Sequence, residues 1–129
     1  MNTIYLMKDE KKDFALLKVG FATDLNKRIY VYTTHNPLIE CISHVDTRES
    51  SKHKIEGMFH DEISRRGYSF VSAKIDGKRT EWFKIDYDDP FYKEVCEKGL
   101  NAFSCGKNRK NHGYFVTDAK KSIDRIANW

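Results

Sequence analysis

The run IYLMKDEKKDFALLKVG, from Ile4 to Gly20, constrains the fold more than any other part of the chain. Two short apolar segments, residues 3–7 and 14–21, flank KDEKKD, which is too charged to bury itself. Strands joined by so short a link pair antiparallel, so the chain opens on a hairpin. A turn centred near Lys11 and Lys12 sets Tyr5 opposite residue 17 or 18. Tyr5 and Lys18 are then cross-strand neighbours on one face, with Ile4, Leu6, Leu17 and Val19 on the other. Gly20 beside them leaves room for another group to approach the backbone. The plain alternative is a packed tyrosine ring with the lysine stem snorkelling over it.

The remaining elements follow from local signals. Thr23 or Asp24 caps a helix in which Leu25, Ile29 and Tyr32 share a face. THNP ends that helix, because the residue before Pro37 disfavours helical backbone. LIECISHV, residues 38–45, predicts a third strand. Asp46 or Thr47 begins a second helix, striped by Ile55, Met58, Phe59 and Ile63 and closed by Gly67. Two strand-like pieces flank the turn pair Asp76 and Gly77. Pro90 starts a helix running to about Ala102. SCGKNRKNHG reads as a basic loop, and TDAKKSIDRIANW as a last helix capped by Thr117. The order is β-β-α-β-α-β-β-α-α, an α+β fold with a small antiparallel β-sheet flanked by helices.

Bulk composition narrows the classes. A chain of 129 residues with 40% apolar and 33% charged residues suits one modest core and is neither disordered nor built to span a bilayer. No apolar run approaches the roughly 18 residues of a spanning helix, and MNTIYLMKDEKK has no apolar core of signal-peptide length. A cytoplasmic location without membrane contact is the expectation. Cys41, Cys96 and Cys105 are odd in number and irregularly spaced, which argues for ordinary thiols. Cys96, Cys105 and His112 match no zinc spacing, and a zinc hydrolase on His53, His60 and a cysteine is the weakest reading.

The net charge of +4 is unevenly placed. Residues 1–103 balance 17 basic against 17 acidic side chains, while residues 104–129 hold 6 against 2. An anionic partner at the C-terminal end follows, with nucleic acid the commonest candidate. Lys107, Arg109 and Lys110 can grip phosphates, with Tyr114 or Phe115 available to stack on a base. A solvated loop before a helix is the plain alternative.

Several side chains along the first 85 residues are suited to phosphodiester chemistry. Tyr5 and Lys18 offer a phenol and an amine, Arg28 a guanidinium, and Tyr32 lies one helical turn after it. Glu56 and His60 stand at i, i+4 on the second helix, and Glu81 sits in TEWFKI. Each has an ordinary reading: a solvated arginine, a surface Glu–His pair, a solvent-facing strand acid. Together they supply what phosphodiester hydrolysis needs: a group to handle the proton of water, cations for the transition state, and a carboxylate for Mg²⁺.

In this order the residues TIY (3–5), KVG (18–20), Arg28, IEGMFH (55–60) and EWF (81–83) resemble the GIY-YIG nuclease superfamily, in its phage- and virus-rich branch whose second motif begins with lysine. The resemblance covers roughly residues 3–85, so residues 1–86 are expected as a nuclease core and 87–129 as a helical extension with a basic loop, packed on it. It implies a divalent-metal-dependent endonuclease acting on DNA, expected to be double-stranded. Tyr5 would position or deprotonate the attacking water, and Lys18, in place of a second tyrosine, would help draw its proton. Arg28 would stabilise charge on the phosphate, and Tyr32 falls where the family has His or Tyr. Glu56 would hold one Mg²⁺ or Mn²⁺; His60 and Glu81 match motif positions of less settled role. Thr3 departs from the glycine of the first motif, at a backbone position. A base role for Lys18 requires burial or a nearby cation, since amine and phenol are both protonated at neutral pH, with ordinary pKa values of about 10. A nucleic-acid-binding module without catalysis is the alternative function. A single site of this size nicks unless two copies act together, so a homodimer is expected if double-strand breaks are made.

Overall fold

In the computed structural model, residues 2–47, 52–73 and 76–107 are described. β1 (Asn2–Glu10) and β2 (Phe14–Ala22) form the opening hairpin. α1 (Leu25–His35), β3 (Glu40–Thr47), α2 (Lys52–Arg65), β4 (Phe70–Ser72), β5 (Arg79–Asp86) and α3 (Pro90–Lys98) follow. A 3-10 turn over Gly99–Ala102 and the helical turn α4 (Ser104–Lys107) close the described chain. The five strands make one antiparallel sheet in the order β3-β1-β2-β5-β4. The expected α+β architecture holds, and so does the element order through the third helix; the expected last helix lies outside the described residues.

Period-two alternation divides the hairpin between two apolar layers. Ile4, Leu6, Leu17 and Val19 face Ile55, Phe59 and Ile63 of α2, and the same layer takes in Phe83, Phe91, Val95, Leu100 and Phe103. Residues 87–103 thus contribute side chains to the layer that α2 covers. Tyr5 and Met7 face the opposite way, under Leu25, with Ile29, Tyr32, Cys41 and Trp82 packed around them.

Four local expectations need correction. The hairpin turn closes through Lys11 N–H to the Phe14 carbonyl, so its centre lies one residue later than expected. Tyr5 therefore pairs with Gly20, and Lys18 with Met7. Tyr5 and Lys18 are diagonal neighbours on one face rather than directly opposed. The second helix begins at Lys52, because Asp46 and Thr47 are still paired in β3, where Thr3 donates to the Asp46 carboxylate at 3.0 Å. The third helix ends at Lys98, where Gly99 turns to φ 59°, a left-handed value that glycine tolerates. Ser104–Lys107 is helical rather than loop. Arg109, Lys110, His112, Tyr114, Phe115 and the Thr117 cap lie outside the described residues, as do the side chains of His53 and Lys107.

Candidate active site

The site forms where the sheet opens. β2 pairs with β5 from Phe14 opposite Asp86 to Lys18 opposite Trp82. The described ladder stops there, and β2 runs on through Val19 and Gly20 to Ala22. Side chains from both faces of the sheet reach this gap.

On the α1 face, Tyr5 is 1% exposed and stands over Gly20. A Cβ built on Gly20 would lie 2.7 Å from the Tyr5 hydroxyl oxygen and 3.2 Å from Lys18 Cε. No residue but glycine leaves the phenol and the lysine stem where they are. Lys18 is itself buried, its Nζ donating to the Tyr32 hydroxyl and lying 4.6 Å from the centre of that ring. Its carboxylate partner is Glu81, at 3.6 Å. Tyr32 is held by the edge of Trp82, ring centres 6.0 Å apart. Burial pushes the Tyr5 hydroxyl well above the ordinary tyrosine range; the neighbouring Tyr32, which also hydrogen-bonds it, and Glu81 add to this, while the Arg28 guanidinium opposes it. Tyr5 is therefore a neutral phenol at neutral pH.

Asp24 caps α1 by accepting from Lys27 N–H, which aims the first turn of the helix at the end of β2. Exposed Arg28 and half-buried Tyr32, one turn apart, line an open cavity of about 490 Å³ together with Ala22, Thr23, Asp24, Lys27 and Val31. Tyr32 joins this cavity to the phenol pair, and its lining carries two cationic side chains and one carboxylate.

From the α2 face come Glu56 and His60, one turn apart. The ligand atoms of Glu56, His60 and Glu81 all lie within 4.8 Å of one another, and all three residues are half-buried. His60 Nε2 donates to the Val19 carbonyl at 2.7 Å, and its ring meets the edge of Phe70 at 5.4 Å. Oxygen and imidazole donors at this spacing fit a divalent cation. Among the described residues it is the one such grouping of His, Cys, Asp and Glu. The three cysteines form no disulfide, and burial pushes the Cys41 thiol up to about 12.

The structure thus brings Tyr5, Lys18, Tyr32, Glu56, His60 and Glu81 to one gap, with Arg28 at its rim. Glu81 links the two halves, reaching Lys18 on one side and His60 and Glu56 on the other. Sequence reasoning missed Trp82 as the prop of Tyr32 and the Val19 carbonyl as the anchor of His60. The first was legible as the residue after Glu81 in a period-two strand; the second, a main-chain group, leaves no mark in the sequence.

Comparison with known proteins returns one family. The model of the T5orf172 domain matches residues 2–104, which takes in the sheet, all the site residues above and the elements after residue 86. No curated protein and no solved structure matches the chain.

Proposed function

The chain belongs to the T5orf172 domain family, a phage-associated domain of nuclease type, and from that premise we propose that it is a divalent-metal-dependent endonuclease of GIY-YIG kind acting on DNA. The family gives the coarse role, nuclease-like or DNA-binding. The observation that favours catalysis is the gap between β2 and β5, where a buried phenol, a buried lysine and a carboxylate–imidazole set meet beside the cavity that Lys27 and Arg28 line. A pure binding surface has no use for a lysine 8% exposed beneath two tyrosines.

In this reading a phosphodiester enters by the cavity at Arg28, whose guanidinium pairs with the scissile phosphate. Tyr5, a phenol at rest, holds the attacking water by a hydrogen bond. The water oxygen bonds to phosphorus as the bond to the leaving sugar oxygen breaks; the water's proton passes to solvent, and the leaving oxygen takes one from solvent. Negative charge growing on the attacking oxygen beside Tyr5 and on the phosphate oxygens is met by the Lys18 ammonium and by Arg28. Lys18 acts here as a cation, since it donates to Tyr32 and pairs with Glu81. Glu56 would hold one Mg²⁺ or Mn²⁺, which when bound supplies positive charge to the phosphate oxygens. Lys107, Arg109 and Lys110 serve as non-specific phosphate contacts; neutralising them weakens DNA binding and lowers its salt slope.

The test is nicking of supercoiled plasmid with Mg²⁺ or Mn²⁺ against chelator, comparing wild type with Tyr5→Phe and Glu56→Ala. Cutting that needs metal and both side chains is expected. Equal cutting by all three proteins overturns the mechanism. Salt-sensitive DNA binding with no cleavage, on single- or double-stranded substrates and with any metal, makes the chain a binding module instead.

A further inference from the structure

The geometry points to a three-donor metal site, Glu56, His60 and Glu81, which prefers Mn²⁺ and later first-row ions to Mg²⁺. Its catalytic meaning rests on the nuclease reading above, but the binding claim stands by itself.

Three observations carry it. First, the donors come from elements far apart in sequence. Glu56 and His60 project from one side of α2, and Glu81 comes from β5, yet their ligand atoms gather within 4.8 Å. Second, the His60 ring is anchored by the backbone. A carbonyl only accepts, so Nε2–H is given to Val19 at 2.7 Å, and Nδ1 is the nitrogen that the neutral ring offers to a metal. An imidazole that gives its second N–H to a backbone carbonyl is the usual arrangement of a metal-binding histidine. Val19 can play this part because the described β2–β5 ladder stops at Lys18. Third, Glu81 is steadied from behind by Lys18, at 3.6 Å. The lysine thereby links the donor set to the phenol pair.

The donor set decides the ion. Carboxylates and water satisfy Mg²⁺, which keeps most of its waters and gains little from nitrogen. An imidazole adds affinity for Mn²⁺, Fe²⁺, Co²⁺ and Zn²⁺. A site of Glu56 alone would discriminate weakly between Mg²⁺ and Mn²⁺.

The experiment is calorimetric titration of the full chain with MnCl₂ and with MgCl₂, in the absence of DNA. One Mn²⁺ is expected to bind per chain, at least about tenfold more tightly than Mg²⁺. Glu81→Gln should weaken Mn²⁺ by about 10–100-fold, and His60→Asn should remove the preference for Mn²⁺. Variants are compared only where far-UV circular dichroism matches wild type. An independent measurement uses the wild type alone: pulsed electron paramagnetic resonance of bound Mn²⁺ should show coupling to one imidazole nitrogen. Absence of that coupling, equal affinity for the two ions, or a site lost in Glu56→Gln but indifferent to Glu81→Gln and His60→Asn overturns the inference. Plasmid nicking by the same preparations separates the two claims. A nitrogen-coupled Mn²⁺ site without cleavage keeps this inference and sinks the nuclease reading. Cleavage that depends on Glu56 with a nitrogen-free site does the reverse.

Discussion

The two faces of the sheet are built to different standards. The face under α2 and α3 is a continuous apolar layer in which Ile55, Phe59, Ile63, Phe83, Val95 and Phe103 are almost wholly buried. The face under α1 is thin: Leu25 is the one buried residue of that helix, and Tyr30 and Val31 stand 71% and 47% exposed. Yet the thin face holds the costly groups, a buried phenol and a buried ammonium. Burial of an amine is unfavourable unless it is paired, and here Tyr32 and Glu81 supply the partners. One face keeps the protein folded, and that allows the other to hold groups in positions it would not choose for stability.

That division is broken most directly by one substitution on each side. Tyr5→Phe keeps the ring and removes only the hydroxyl, so stability should change by no more than about 1 kcal/mol. Nicking of plasmid should fall by about 10²–10⁴-fold. Phe59→Ala opens a hole against Phe103, whose ring centre is 5.2 Å away, and should cost about 3–5 kcal/mol in urea unfolding. The nicking rate per folded molecule should stay near wild type. If Tyr5→Phe unfolds as readily as Phe59→Ala, the two faces do not differ in kind.

Glu62 sharpens the comparison, because it is a charge built into the stable face. It is 5% exposed on α2, and its carboxylate accepts from the backbone N–H groups of Ser104 and Cys105 and from Arg66, each at 2.9 Å. Burial pushes its pKa upward, but the N–H groups of Cys105 and Ser104 and the Arg66 guanidinium outweigh this and leave it below the ordinary value. A folded-state pKa lower than the unfolded one gives stability that is complete above the unfolded value, about 4.3, and is lost as pH falls through the folded one. Glu62→Gln should therefore cost about 2–3 kcal/mol at neutral pH and flatten the acid limb of the stability curve below about pH 4. Denaturant midpoints measured from pH 3 to pH 7 read both effects. An unchanged acid limb would mean that the latch between α2 and α4 carries no stability.

Most of this architecture is legible in the residues, and the failures have physical causes. Alternation at residues 4–7 and 17–20 assigns the faces correctly, because a period of two leaves no choice once one face is apolar. Register is another matter. KDEKKD has no Asn-Gly or Asp-Gly pair to fix the turn, so a closure one residue later costs nothing that the sequence displays. Tyr5 then meets Gly20 instead of Lys18. Glu62 drew no expectation from the sequence, although its spacing of three from Phe59 and seven from Ile55 places it on the apolar stripe. That signal was present and calls for a buried partner, which lies 42 residues away at Ser104. The reach of Glu81 to both faces depends on where a ladder ends, and no local pattern encodes that. The choice of Tyr5, Arg28 and Glu56 from many similar side chains comes from resemblance, since each has an unremarkable local setting.

The smallest test sets two glycines against each other. Gly57 lies inside α2, and a Cβ there would meet nothing within 4 Å. Gly57→Ala should stabilise by about 0.5–1 kcal/mol, since alanine is the better helix former and nothing must move. Gly20 is the same residue type on the site face, where the added methyl would lie 2.7 Å from the Tyr5 hydroxyl oxygen and 2.9 Å from the ring carbon that bears it. The ring is packed on all sides and cannot swing clear as a surface chain would. Gly20→Ala should cost about 1–2 kcal/mol by overpacking and lower nicking more than Gly57→Ala does, since it moves the phenol itself. Opposite signs in thermal midpoint for the same one-carbon change separate a position kept small for chemistry from one that is merely small. If Gly20→Ala proves neutral in both stability and nicking, the Tyr5 phenol is not held where the catalytic reading needs it.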